Sequence, residues 1–290
     1  MPSIKEYNVK LNRLKNTRKM TRTMKLVSMS KLIKAQEAQR RSKLYANRLA
    51  DLISRLAATR DLKTHPLLSS KKSKNQALIL LVTSDRGLCG GFNNQLIRFV
   101  NEWLAQNASA YKAVEFSFCG RRGYNHFRSK YSEKVFYPHV TAKPDFEQAR
   151  KIGIDLSNYF LKSEYRDIFI AYNKFFSPLS QKPVLEKILP IESKPLLTAN
   201  SALPADYLFE PALDELISFL IPKYLYFMIY YALLENSAGE HAARMTAMES
   251  ATKNTEDLIS SLTTIRNRAR QADITAELIE IVSGAEALNQ

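Results

Sequence analysis

At 290 residues, with 45% apolar side chains and 10% aromatics, the chain has the material for a packed core and falls outside the disordered class. Two cysteines, Cys89 and Cys119, are too few for a disulfide scaffold, and the four scattered histidines, His65, His126, His139 and His241, have no metal-ligand spacing. The formal charge of +15 is unevenly placed, which argues against reading it simply as a nucleic-acid signal. Residues 1–60 hold 16 Lys/Arg against Glu6, Glu37 and Asp51, whereas residues 207–290 hold 6 Lys/Arg against 12 Asp/Glu. The two ends attract each other, and a positive surplus remains for an acidic partner.

From Ser3 the sequence runs to about Ala58 without glycine or proline, and Ser3 with Glu6 three residues on is a capping-box start. This predicts one long helix of ~80 Å. Its apolar seam reads Ile4, Tyr7, Leu11 and Leu14, turns polar at Arg18 and Thr21, and resumes at Met24 and Val27. A clean heptad series then follows through Ala35, Ala38, Ser42, Tyr45, Leu49, Leu52 and Leu56. After a polar linker over 59–76 the pattern changes to alternating strands and helices. Strands are predicted at 77–83, 113–119, 134–139, 167–176 and 183–189, and helices at 91–106, 122–129 and 145–161. That order predicts a small parallel or mixed α/β domain. A proline-punctuated linker, 191–204, leads back to helix, and Pro222 either kinks that helix or marks its true start.

The last stretch, 223–290, contains no proline and reads as a helix on the order of 100 Å long. Its seam runs through Phe227, Tyr231, Leu234, Ala238, His241, Met245 and Met248 to Leu262, and with a small shift through Ile265, Ala272, Ala276 and Ile279. Two long, oppositely charged terminal helices, each with a seam, predict an antiparallel coiled coil with the α/β domain inserted between them. The expected division is 1–60, 77–195 and 207–290. No apolar run approaches the ~20 residues of a membrane span and the N-terminus lacks a signal core, so a soluble or peripherally bound chain is expected.

The glycine-rich turn TSDRGLCGGFN at 83–93 follows a strand and precedes a helix, where backbone amides attract anions. Its glycines fit neither G-x-G-x-x-G nor G-x-x-x-x-G-K-[ST], so nucleotide binding is not supported. Cys89 has no histidine nearby in sequence to act as a base, and His241 on the seam reads as a packed residue. With no catalytic constellation, no metal site and no cofactor motif, the chain reads as a mechanical or binding component. A basic coiled-coil protein that binds nucleic acid or organises a scaffold is the alternative; it accounts for the basic end but not for the inserted domain.

Four segments carry a resemblance: NTRKMTRTMKLVSMSK (16–31), the 83–93 turn, EHAARMTAMESATKN (240–254) and RNRARQADITAELIEIVSGA (266–285). In this order they resemble the gamma subunit of F-type ATP synthases, over the whole chain and only loosely at 111–203. The resemblance implies an α+β fold: a long antiparallel coiled coil of the N- and C-terminal helices with an inserted, small, Rossmann-like α/β domain. It implies a non-catalytic central-stalk rotor that couples ion flow to ATP synthesis. The implied partners are the alpha and beta subunits of the catalytic hexamer, the epsilon subunit and the c-subunit ring, with no nucleic acid. Residue by residue, Met24 and Lys25 match the contact with a beta-subunit loop, and Arg86 and Cys89 match the turn facing an acidic beta loop. Arg244, Arg270, Gln271, Thr275 and Glu277 match C-terminal contacts with the hexamer. The absence of a mitochondrial presequence and of a regulatory cysteine pair favours the cytoplasmic face of a bacterial inner membrane.

Overall fold

The computed structural model describes residues 4–59, 65–68, 75–191 and 213–288. Helix α1 spans Ile4–Thr59; β1 Gln76–Val82; α2 Phe92–Asn107; β2 Ala113–Cys119; α3 Arg121–Phe127; and β3 Glu133–Tyr137. They are followed by α4, Phe146–Leu161; β4, Asp167–Ser177; β5, Ser180–Leu189; and a final helix, here α5, of 76 residues, Leu213–Leu288. Ser3, most of the first linker and the 192–204 return lie outside the described residues. Pro222 lies within α5, so the helix continues through it.

The chain forms two compact units, one of residues 28–244 and one made of the ends of the long helices, up to Val27 and from Met245. In the larger unit the sheet order is β3-β2-β1-β4-β5, with β5 alone antiparallel. β1 is central, and its continuous run Ala-Leu-Ile-Leu-Leu-Val is what burial on both faces demands. Leu78, Leu80 and Val82 point into a core with Ile152 and Leu156 of α4, Leu225 and Ile229 of α5, and Leu49 and Ile53 of α1. Ala77, Ile79 and Leu81 point the other way, onto Leu96 and Val100 of α2 and Phe116, Phe118 and Phe127. Each such buried aliphatic or aromatic side chain contributes roughly 1.5–3 kcal/mol. The β4–β5 hairpin is longer than the sequence predicts, because β5 starts at Ser180 and Pro183 sits within an edge strand, where its missing N–H is tolerated.

Helices α1 and α5 run antiparallel in both units. In the larger one Gln39 Nε2 donates to Glu235 Oε1 at 3.1 Å, and Tyr45 stacks on Phe227 with ring centroids 4.3 Å apart. In the smaller one Lys25 Nζ meets Glu249 Oε1 at 2.6 Å, the Thr21 and Thr252 hydroxyls bond at 2.8 Å, and Arg266 donates to Asn8 at 3.4 Å. The polar break at Thr21 is therefore a paired seam position. Elsewhere the seam departs from the predicted heptad: Ser28 and Ile53 are buried where Val27 and Leu52 were expected, and Tyr45 is exposed at its edge. A straight helix drifts against a 3.5-residue repeat, which moves the seam by one position.

The predicted continuation of the α5 seam through Ile265 and Ile279 is also corrected: both are exposed. Asn8 faces Arg266, so the described α1, which starts at Ile4, does not reach Ile279, whereas Ile265 is exposed although α1 still runs alongside α5 there. A further correction is that α5 is long enough and, over one stretch, apolar enough by composition for a membrane span. Much of its apolar surface, from Ile217 through Ile221, Leu225 and Ile229, lies in the core against the sheet.

Candidate functional site

In a doubly wound sheet the strand order reverses at one point, and the crevice beyond the carboxyl ends of the strands there is where ligands bind. Here that point lies between β1 and β4. The 83–93 turn leaves the carboxyl end of β1, so the glycine-rich motif sits at the place a nucleotide would occupy in such a fold.

The turn is closed by its own buried polar groups. Asn93 accepts the Ser84 N–H at 3.0 Å and donates Nδ2–H to Ser84 Oγ at 2.8 Å and to Cys89 Sγ at 3.2 Å. Ser84 Oγ donates to the Arg86 carbonyl at 2.6 Å, and the Asp85 carboxylate accepts the Arg121 N–H at 3.2 Å, tying the turn to the start of α3. Leu88 and Gly90 both take left-handed backbone, with φ of 64° and 58°. That shape pushes Leu88 outward, 63% exposed, beside the exposed Arg86, while Cys89 is buried. Burial pushes the Cys89 thiol pKa up, a shift that the nearby Arg244 charge opposes. Next to the turn a groove of about 410 Å³ is lined by Leu88, Asn94, Arg122, Asn125 and His126.

The crevice itself is filled from within the chain. Asn173 of β4 donates to the Phe92 carbonyl at 3.0 Å. The Phe175 N–H, also on β4, is taken by Glu235 of α5 at 3.3 Å, and Gly239 of α5 lies against the Phe92 ring. Arg244 donates to the Gly87 carbonyl through Nε at 3.3 Å and Nη2 at 3.2 Å, and Nη2 also meets Glu240 Oε1 at 2.5 Å. Burial raises the Glu240 pKa against the pull of Arg244. His241 is pushed down to about 4 by burial, then by Arg244 and Lys31, so it is neutral at physiological pH.

The structure thus brings Arg86, Cys89 and Arg244 together around one turn. Met24 and Lys25 lie in the other unit, where both are half-buried and Lys25 pairs with Glu249. Arg270, Gln271, Thr275 and Glu277 are all exposed on the last turns of α5, and the Thr275 hydroxyl bonds the Gln271 carbonyl at 2.8 Å. Sequence reasoning did not single out Glu240, Asn93, Ser84 or Gly87. The i,i+4 spacing of Glu240 and Arg244 was a readable signal for the first; the Arg244–Gly87 contact spans 157 positions and had none.

The described fold is an antiparallel helical pair together with a doubly wound domain in which groups of the last helix occupy the crevice at the switch point. The family model that matches it is described as ATP synthase and spans residues 3–288. The chain is 41% identical, over 99% of its length and 100% of the relative's, to the ATP synthase gamma chain of Anaeromyxobacter sp. (strain Fw109-5), and 36% identical over 99% of both chains to that of Trichlorobacter lovleyi. The chain belongs to the ATP synthase gamma chain family. A chain in the cryo-EM structure of the Euglena gracilis mitochondrial ATP synthase OSCP/F1/c-ring shares the fold with a TM-score of 0.66 at 19% identity, over 98% of this chain and 94% of that one. A chain of the central stalk and c-ring of the Tetrahymena thermophila enzyme does so with a TM-score of 0.57 at 22% identity, over 80% of this chain and 99% of that one.

Proposed function

We propose that this chain is the central-stalk rotor of an F-type ATP synthase, with catalysis residing in the neighbouring alpha and beta subunits. The observation that carries this reading is the helix register. With Asn8 opposite Arg266, Ile4 comes level with Arg270, and from there on the exposed Arg270, Gln271, Thr275 and Glu277 of α5 are available to an enclosing hexamer. Met24 and Lys25 meet a beta-subunit loop farther along the pair. The Lys25–Glu249 bridge beside them is partly exposed, with side chains 33% and 59% accessible, and is worth roughly 0–1 kcal/mol, weak enough to break and reform as the shaft turns. Arg86, with Leu88 and Cys89 in the same turn, faces an acidic beta loop, and Arg122 and His126 line the groove beside it. The α/β domain, 77–195, sits at the foot with the epsilon subunit and the c-ring, between helical segments 1–60 and 207–290. The coupling ion is a proton or sodium ion, and the complex works at the cytoplasmic face of a bacterial inner membrane, in keeping with the bacterial relatives.

A reversible lock tests the reading. A cysteine at Glu277, disulfide-linked to a cysteine in the surrounding alpha or beta subunit, is expected to abolish ATP hydrolysis by the assembled complex, and reduction should restore it. Hydrolysis that continues at the uncrosslinked rate with the link in place would contradict a turning shaft.

A further inference from the structure

Arg244 is 8% exposed, and its guanidinium is spent inward, on the Gly87 carbonyl and the Glu240 carboxylate. From these contacts we infer that Arg244 and Glu240 form a latch that locks α5 onto the 84–93 turn, so that Arg244 acts as a positioning residue for the exposed Arg86 and Leu88. Its consequence for coupling rests on the rotor reading above.

Three features give the latch its leverage. The Gly87 carbonyl that Arg244 holds lies between the Ser84-to-Arg86 hydrogen bond and the left-handed Leu88, so fixing that carbonyl fixes the direction of both exposed side chains. Two donors of one planar guanidinium reach the same oxygen while one of them also reaches the carboxylate, a geometry that a lysine ammonium, a point charge, does not reproduce. Glycine at 239 lets the α5 backbone approach the other end of the turn: a Cβ there would lie 2.9 Å from the Phe92 ring. The helix therefore holds the turn at both ends and passes load to the sheet through it. The pair also stands or falls as a unit, because removing either partner leaves the other charge buried without compensation. His241, Lys31, Asp85 and Cys89 are other titratable groups near it, and neutral His241 approaches Arg244 Nη1 at 3.5 Å without competing for Glu240.

Cys89 reports on the latch, since its thiol is closed under the turn beside Asn93. In the full chain carrying Cys119→Ala, the rate of Cys89 alkylation by a maleimide, compared per thiolate from its pH dependence because the Arg244 and Glu240 charges themselves act on the thiol, is expected to rise at least about tenfold in Arg244→Gln, as local opening becomes cheaper by about 1.4 kcal/mol or more. Fluorescence of Trp103, the only tryptophan, serves to verify that the core stays folded. Glu240→Gln keeps the side-chain size and is expected to give the same rise if Arg244→Gln does not fold, while Arg244→Lys should fall between. In the assembled complex the ratio of ions pumped to ATP hydrolysed should drop in the same order. Unchanged Cys89 reactivity in the folded variants would overturn the latch, and a rise in reactivity with an unaltered pumping ratio would overturn its role in coupling. A parent complex whose hydrolysis drives no pumping would instead sink the rotor reading, and the alkylation rates would still decide the latch.

Discussion

Replacing Met24 with lysine is expected to uncouple ATP turnover from ion transport while the complex still assembles. Met24 is half-buried on α1, one residue before the Lys25 that bridges to Glu249. Its thioether is flexible and uncharged, and so slides along a changing surface without forming a strong bond. The residues around it, Lys19, Arg22 and Lys25, already make this stretch basic. On the proposed contact with an acidic beta loop, a lysine at 24 adds a charge for that loop to capture, and a partly desolvated pair is worth about 1.5–3 kcal/mol, against ~1 kcal/mol or less for an exposed one. That energy lengthens the life of the contact by about 10- to 100-fold at one rotary angle and returns nothing at the next. The rotor then dwells at one step, and transport falls more than hydrolysis. Measuring hydrolysis and ATP-driven pumping in one membrane preparation decides the matter: proportionate changes in both, or no change in either, would remove Met24 from the coupling residues.

Gly120→Ala is expected to be the most damaging small change in the α/β domain. Gly120 has a φ of 96°, a conformation that L residues rarely adopt, and a Cβ on it would lie 2.1 Å from the Thr83 carbonyl oxygen. Thr83 cannot retreat, because its N–H bonds the Cys119 carbonyl at 2.8 Å and its hydroxyl accepts the Gly123 N–H at 2.9 Å. Strain of this kind costs about 1–3 kcal/mol before the clash is added, so a loss of at least about 3 kcal/mol is expected out of a total of roughly 5–15. Denaturant unfolding followed by Trp103 should show a lower midpoint with the slope unchanged. Gly284→Ala is the control: it lies in α5 with no atom of the described residues within 4 Å of the added methyl, and should gain about 0.5–1 kcal/mol in helix stability. A Gly120→Ala loss below about 1 kcal/mol would show that the β2–α3 junction yields more easily than its contacts imply.

Much of this architecture was legible because it rests on local pattern. The run at 77–82 marks a strand buried on both faces, and the opposite charges of the two ends foretell helices that pair antiparallel, as Lys25 with Glu249 illustrates. What was hidden depends on quantities that accumulate or act at a distance. A heptad read from sequence cannot report the drift that buries Ser28 and Ile53 in place of Val27 and Leu52. Nor can it say where α1 runs out against α5, which is why Ile279 was expected in a seam and is exposed. The turn at 83–93 was recognised as glycine-rich and unsuited to nucleotides, but the reason it is closed, the approach of Gly239 and Arg244 from a helix distant in sequence, required the fold.

The rotor claim is tested most directly by watching the chain turn. With the alpha and beta hexamer fixed to a surface and a visible marker attached through a cysteine in the β4–β5 turn, at Leu179, which is 84% exposed, ATP should drive stepwise rotation of the marker in a single sense. The rotation should stop when the Glu277 crosslink is closed and resume on its reduction. Sustained ATP hydrolysis by the same molecules with the marker stationary would contradict the account.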